Sequence, residues 1–183
     1  MTPILGIMAS SISGSKAIAG DYDSIASSTP TGTTTVTFSS IPATYKHLQI
    51  RINALTASAG DNIGFRFNGD TGANYANHLL AGDGAAVTVD GQTGRTEMRF
   101  DVGLVSTSTT IPLVGVIDVI DYASTTKNKT VRILEGSDRN GSGEIALVSN
   151  LWKDLSAVTS ISLYTVAFNF SSGTTISLYG IKG

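Results

Sequence analysis

From Thr33 onward the chain alternates. Val36 and Phe38 are interleaved with Thr35 and Thr37. Leu48, Ile50 and Ile52 share one parity, and Gln49, Arg51 and Asn53 the other. Ile63, Phe65 and Phe67 repeat this with Arg66 between them. A period of 2 puts the apolar set on one face of a sheet and the polar set in water. Segments 75–81, 96–105, 113–122, 129–136, 144–152, 160–168 and 175–182 have the same character, giving about ten short strands in all. Turn formers separate them: Asn68-Gly69-Asp70, Gly82-Asp83-Gly84, Asp90-Gly91, Asn140-Gly141 and Ser172-Gly173, where Gly or Asn accepts a positive φ. No segment sustains a helical period. The pattern predicts an all-β fold, an antiparallel β-sandwich, and a strand number near eight plus extras points to a jelly roll.

The first 28 residues behave differently. They mix small and apolar side chains with neither period, and Gly6, Gly14 and Gly20 interrupt any helix. The expected organisation is an extended N-terminal arm, residues 1–28, followed by one β-sandwich domain, residues 29–183. Ile4, Leu5, Ile7, Met8 and Ile12 cannot bury one another in so irregular a segment. They are therefore the candidate partner-binding residues of an arm that orders against another subunit; the simpler reading is a loose arm. Thr2 to Ala9 is apolar but short, and Lys16 follows it rather than preceding it, the wrong order for a secretory signal. No run reaches the ~18 apolar residues of a membrane helix. The expectation is a protein soluble when made, with no membrane partner.

One strand is apolar on both parities. In 113–122, Leu113, Ile117 and Val119 lie on one side and Val114, Val116, Ile120 and Tyr122 on the other. One sandwich core absorbs only one of these sets. The second set is either covered from within the chain or forms an oligomer interface, with Val114, Val116, Ile120 and Tyr122 as its candidates.

Composition narrows the classes. A chain of 183 residues makes one domain, or one domain plus an arm. Cysteine is absent, so disulfide and thiolate chemistry are excluded. A net charge of −2 with 14% charged residues lacks the basic stripe of a nucleic-acid binder.

Candidate chemistry is thin. His47 and His78 have no HxH or HxxxH partner, so they read as surface or hydrogen-bonded residues, and no metal is expected. Asp61, Asp70, Asp83 and Asp90 sit in Gly-rich turns, Asp118 and Asp121 near the end of an apolar strand, and Asp138 and Glu144 beside a loop. Paired carboxylates for glycoside hydrolysis are not singled out. No nucleophile elbow, P-loop or dinucleotide fingerprint occurs, and no catalytic residue or cofactor is expected. Trp152 reads as core at the end of a strand. Tyr22, Tyr45, Tyr75 and Tyr122 read as exposed or interfacial rings.

The closing segment, Thr174-Thr175-Ile176-Ser177-Leu178-Tyr179-Gly180-Ile181-Lys182-Gly183, and the apolar Ser/Gly-rich leader Pro3 to Gly14 carry a resemblance. So do Ile41 to Arg51, Phe65 to Asp70, and Asp121-Tyr122-Ala123 followed by Lys127 to Thr130. Together they resemble small structural proteins of tailed-bacteriophage virions. The resemblance covers nearly the whole chain and brings no catalytic residues. It implies a non-enzymatic virion protein that assembles as a homo-oligomer, a trimer by preference. Within that class the expectation is a capsid decoration (cement) protein bound to the major capsid protein through arm and sandwich. The alternative is a tail-fibre or adsorption module that binds host surface carbohydrate. A polysaccharide-degrading enzyme ranks third.

Overall fold

The computed structural model describes residues 21–58, 61–100 and 110–183. The arm candidates Ile4, Leu5, Ile7, Met8 and Ile12 lie outside the described residues, as do positions 101–105 of the expected strand 96–105. Among the described residues twelve strands are present: β1 (Tyr22–Ser28), β2 (Thr35–Phe38), β3 (His47–Ala54), β4 (Ile63–Phe67), β5 (Tyr75–Gly82), β6 (Val87–Arg95), β7 (Met98–Arg99), β8 (Leu113–Val119), β9 (Lys129–Asp138), β10 (Gly143–Trp152), β11 (Ile161–Thr165) and β12 (Thr175–Ile181). They form two antiparallel sheets, one in the order β1-β12-β3-β8-β9-β10-β5-β6 and one in the order β2-β11-β4-β7. No helix occurs among the described residues.

The alternation expected from the sequence sets the core. Leu48, Ile50, Ile117, Ile133, Val148 and Leu178 of the large sheet are buried against Val36, Phe65, Phe67, Ile161 and Leu163 of the small one. Each inward residue alternates with an outward one, as in β12, where Ile176 and Leu178 are fully buried while Tyr179 and Ile181 are half-exposed on the other side. The all-β antiparallel sandwich is what the pattern predicts. The jelly-roll refinement is not supported. The strands divide eight and four, and β8, β9 and β10 follow one another as a plain meander.

Two strands escape the sequence pattern. Residues 22–28, assigned to the arm, form β1 and pair with β12 along its outer edge. The register slips between Ser24 and Ala26, so a bulge breaks the period of 2 that would have marked the strand. Residues 22–28 therefore belong to the large sheet, and not to the arm expected over residues 1–28. The expected turn Asp90-Gly91 lies inside β6, an edge strand exposed along its length. With no buried face, β6 has no apolar parity to betray it.

The termini meet. The Lys182 amide donates to the Asp21 carbonyl, 2.9 Å, and the Lys182 ammonium to Asp23, 2.8 Å. Gly180 is required by a neighbour: a Cβ there lands within 2.3 Å of the Tyr45 ring. Tyr122 is the main correction to the tyrosine assignments. It follows Asp121, which takes a left-handed φ of 49° and turns the chain inward. Its ring is fully buried, and its hydroxyl donates to the Pro42 carbonyl and accepts the Tyr45 amide. Tyr75 is likewise buried, with its hydroxyl donating to the Asp70 carbonyl. Tyr22 is 47% exposed.

Asp61 is more than a turn residue. It is buried, and its two oxygens accept the amides of Asn62, Val166, Ala167 and Phe168 at 2.6–3.0 Å. That carboxylate fixes the segment leaving β11. Asp61→Ala is expected to cost about 2–3 kcal/mol, because amides held by a charged acceptor are left to whatever water reaches them. Urea unfolding measures it, and a loss under about 0.5 kcal/mol shows the segment to be held by something else.

Candidate functional site

The outer face of the large sheet is built from three parallel rows that the register fixes. The first row is polar: Tyr179, Gln49, Asp118, Arg132, Ser149 and His78 stand directly opposite one another across successive strands. Gln49 donates to Asp118 at 2.9 Å, and Arg51 donates to Gln49 at 3.0 Å while its guanidinium lies 5.1 Å from the Tyr179 ring. The second row, from β8 to β6, is Val116, Leu134, Leu147, Leu80 and Val89. The third is Val114, Gly136, Ile145, Gly82 and Val87.

These two rows make one continuous apolar band across five strands. Val87 and Val89 are 72% and 73% exposed, Ile145 is 61%, and Leu134, Leu147, Leu80 and Val114 are each near half. Scattered surface apolar residues are ordinary, but a contiguous band of this kind marks an interaction site. A cleft of about 970 Å³ is lined by Val114, Gly136, Ile145 and Gly82, with Asp83, Asp138 and Glu144 also on its wall. A smaller hollow of about 320 Å³ adjoins it beside Leu80, Val87 and Leu147.

Of the residues that the sequence offers as an interface, Val114 and Val116 lie on this face. Ile120 follows the strand and is half-buried. Tyr122 is not on the face at all, since the turn at Asp121 sends it into the core. The rest of the band was missed. Ile145-Ala146-Leu147-Val148 and Leu79-Leu80-Ala81 are apolar on both parities, as 113–117 is, so the signal was present in the sequence. Only the register shows that these segments are neighbours.

Several of the charged groups hold local structure. Glu97 is nearly buried beside β7. Burial pushes its carboxyl up, but the Tyr164 hydroxyl and the guanidiniums of Arg99 and Arg66 outweigh this and hold it below its ordinary value. The Tyr164 ring is covered on one side by Gly64 and lies 4.7 Å from the Arg66 guanidinium, so it presents no open platform for a sugar. Asp83 accepts the Ala85 and Ala86 amides, and Asp138 that of Asn140, each holding a turn. His47 accepts the Asp121 amide through Nδ1, 3.0 Å, and His78 stands exposed in the polar row. Among the described residues no three His, Cys, Asp or Glu side chains are grouped to hold a metal ion. Comparison of the chain with protein-family models, with curated proteins and with solved structures finds no match.

Proposed function

We propose that this protein is a non-enzymatic structural component of a tailed-bacteriophage virion, a capsid decoration (cement) protein whose work is to cover and hold protein surface. The observation that supports this reading is the bare apolar band on the large sheet. A soluble domain with 41% hydrophobic residues could have kept that face polar at no cost to its core, as it does in the row through Gln49, Asp118 and Arg132. Burying such a face is favourable by roughly 25 cal/mol per Å² of apolar surface, which is the free energy an assembly protein uses. The sequence resemblance supplies the virion, with the major capsid protein as partner and residues 1–20 as an attachment element.

Quantitative gel analysis of purified particles tests the assignment. Many copies per particle, in proportion to the capsid protein, are expected; a few copies indicate a tail module, and absence overturns the virion role. Deleting residues 1–20 is expected to leave the sandwich folded and to abolish incorporation. A truncated protein that joins particles at the full copy number removes the arm from the reading.

A further inference from the structure

We propose that the apolar band is a two-fold interface with a second copy of this chain, packed sheet face to sheet face. This rests on the reading of the band as an assembly surface and gives it one occupant, a second copy, so that contact with the capsid protein falls to the arm and the remaining surfaces; it does not depend on where in a particle the protein sits.

Outward side chains follow a fixed order along each strand. On β9 they run Arg132, Leu134, Gly136, Asp138. A two-fold axis lying in the plane between two such faces, midway between the second and third rows and parallel to them, sets β9 antiparallel on its copy. Leu134 then faces Gly136 of the other copy, and Arg132 faces Asp138. The same operation brings Leu80 onto Gly82 in β5, Leu147 onto Ile145 in β10, and Val116 onto Val114 in β8. Large meets small twice, and opposite charges meet at the rim. A two-fold axis along the strands instead keeps each row against itself. It sets β9 and β5 across from one another about β10, with Arg132 over His78 and Leu134 over Leu80, and so loses both matches.

Gly82 gives independent support. Its φ is ordinary, and a Cβ built on it meets nothing nearer than the Ala86 carbonyl at 3.8 Å. Nothing among the described residues calls for glycine there, whereas the facing Leu80 needs the space. Gly136 is partly explained within the subunit, since a Cβ would stand 3.2 Å from the Glu144 carbonyl.

The size of the band fits. It exposes on the order of 600 Å² per copy, so two copies bury about 1,200 Å², the lower end for a specific stable interface. Stacked sheets stand about 10 Å apart, a gap that leucine knobs fill. Arg132 and Asp138 cannot meet within one subunit: six residues of strand separate them by about 20 Å.

Light scattering and circular dichroism on the purified full chain test this. Wild type is expected to be a dimer at micromolar concentration. Gly82→Leu adds apolar surface yet fills the hole, so it is expected to give a folded monomer; a merely sticky face would associate more strongly. Leu147→Lys is expected to do the same. R132D and D138R each set like charges across both rim contacts and are expected to weaken the dimer by about tenfold or more. Mixing the two in equal amounts makes a heterodimer in which both contacts are again of opposite charge, and dimer mass is expected to return. Should D138R disturb the hairpin, where Asp138 holds the Asn140 amide, the Gly82→Leu result decides alone. A monomeric wild type, a trimer, a dimer that survives Gly82→Leu, or two folded charge variants whose mixture stays monomeric overturns the proposal. Absence from particles overturns only the virion assignment.

Discussion

Trp152→Ala is expected to cost about 3–5 kcal/mol, the range for removing a large aromatic side chain from a packed core. Trp152 closes the end of β10 and is 1% exposed. Its ring stands edge-on to Phe67 with centroids 5.5 Å apart, and the Lys129 ammonium lies 5.8 Å from its centroid. Lys129 is itself buried and donates to the carbonyls of Lys127, Asp154 and Leu155 at 2.8–3.5 Å. Removing the indole therefore opens a cavity beside a buried cation. The indole N–H also donates to Asp70 at 2.7 Å. Burial pushes the Asp70 carboxyl up, but the bonds from Trp152, Asn74 and the Gly72 amide outweigh it and hold the group below its ordinary value. A carboxyl with a depressed folded-state pKa contributes stability that is present above its unfolded value and lost as pH falls through the folded one. Trp152→Phe keeps most of the volume and removes that bond. It is expected to cost less at neutral pH and to shrink the loss of stability on acidification below the ordinary carboxylate range. Urea unfolding across that range measures both. An unchanged acid dependence in Trp152→Phe shows that the indole bond does not set the Asp70 titration.

Leu178→Ala is expected to cost about 2–5 kcal/mol. Leu178 is fully buried, and β12 is flanked by β1 and β3, so no neighbour is free to collapse into the space. A loss below about 0.5 kcal/mol marks a peripheral site and contradicts the packing. The expectation follows from the alternation of Ile176, Leu178 and Gly180 alone, and the structure puts the first two in the core.

The limits of that legibility are physical. Alternation reports a strand only when one face is buried and the other wet. β3, β4, β9 and β12 meet that condition and were readable. β6 is exposed throughout and β1 carries a bulge, so neither was. Tyr122 shows the same limit at a single residue. Parity placed it with Val114 and Val116, but parity holds only while φ stays extended, and Asp121 breaks it.

Local pattern was enough for the all-β class, the sandwich, the inward residues of most strands and the presence of a second apolar parity in 113–119. Those properties depend on neighbours in the chain. Which strands lie side by side, and in what register, emerges only in the folded chain. The band from Val116 to Val89 joins five strands whose residues are up to 67 positions apart in sequence, between Leu80 and Leu147. Strand order is settled by long-range closure and by the fit of both sheets at once, and no local pattern encodes it. The same holds for Gly82: its glycine is visible in the sequence, but its empty surroundings and its place across from Ile145 exist only in the folded sheet.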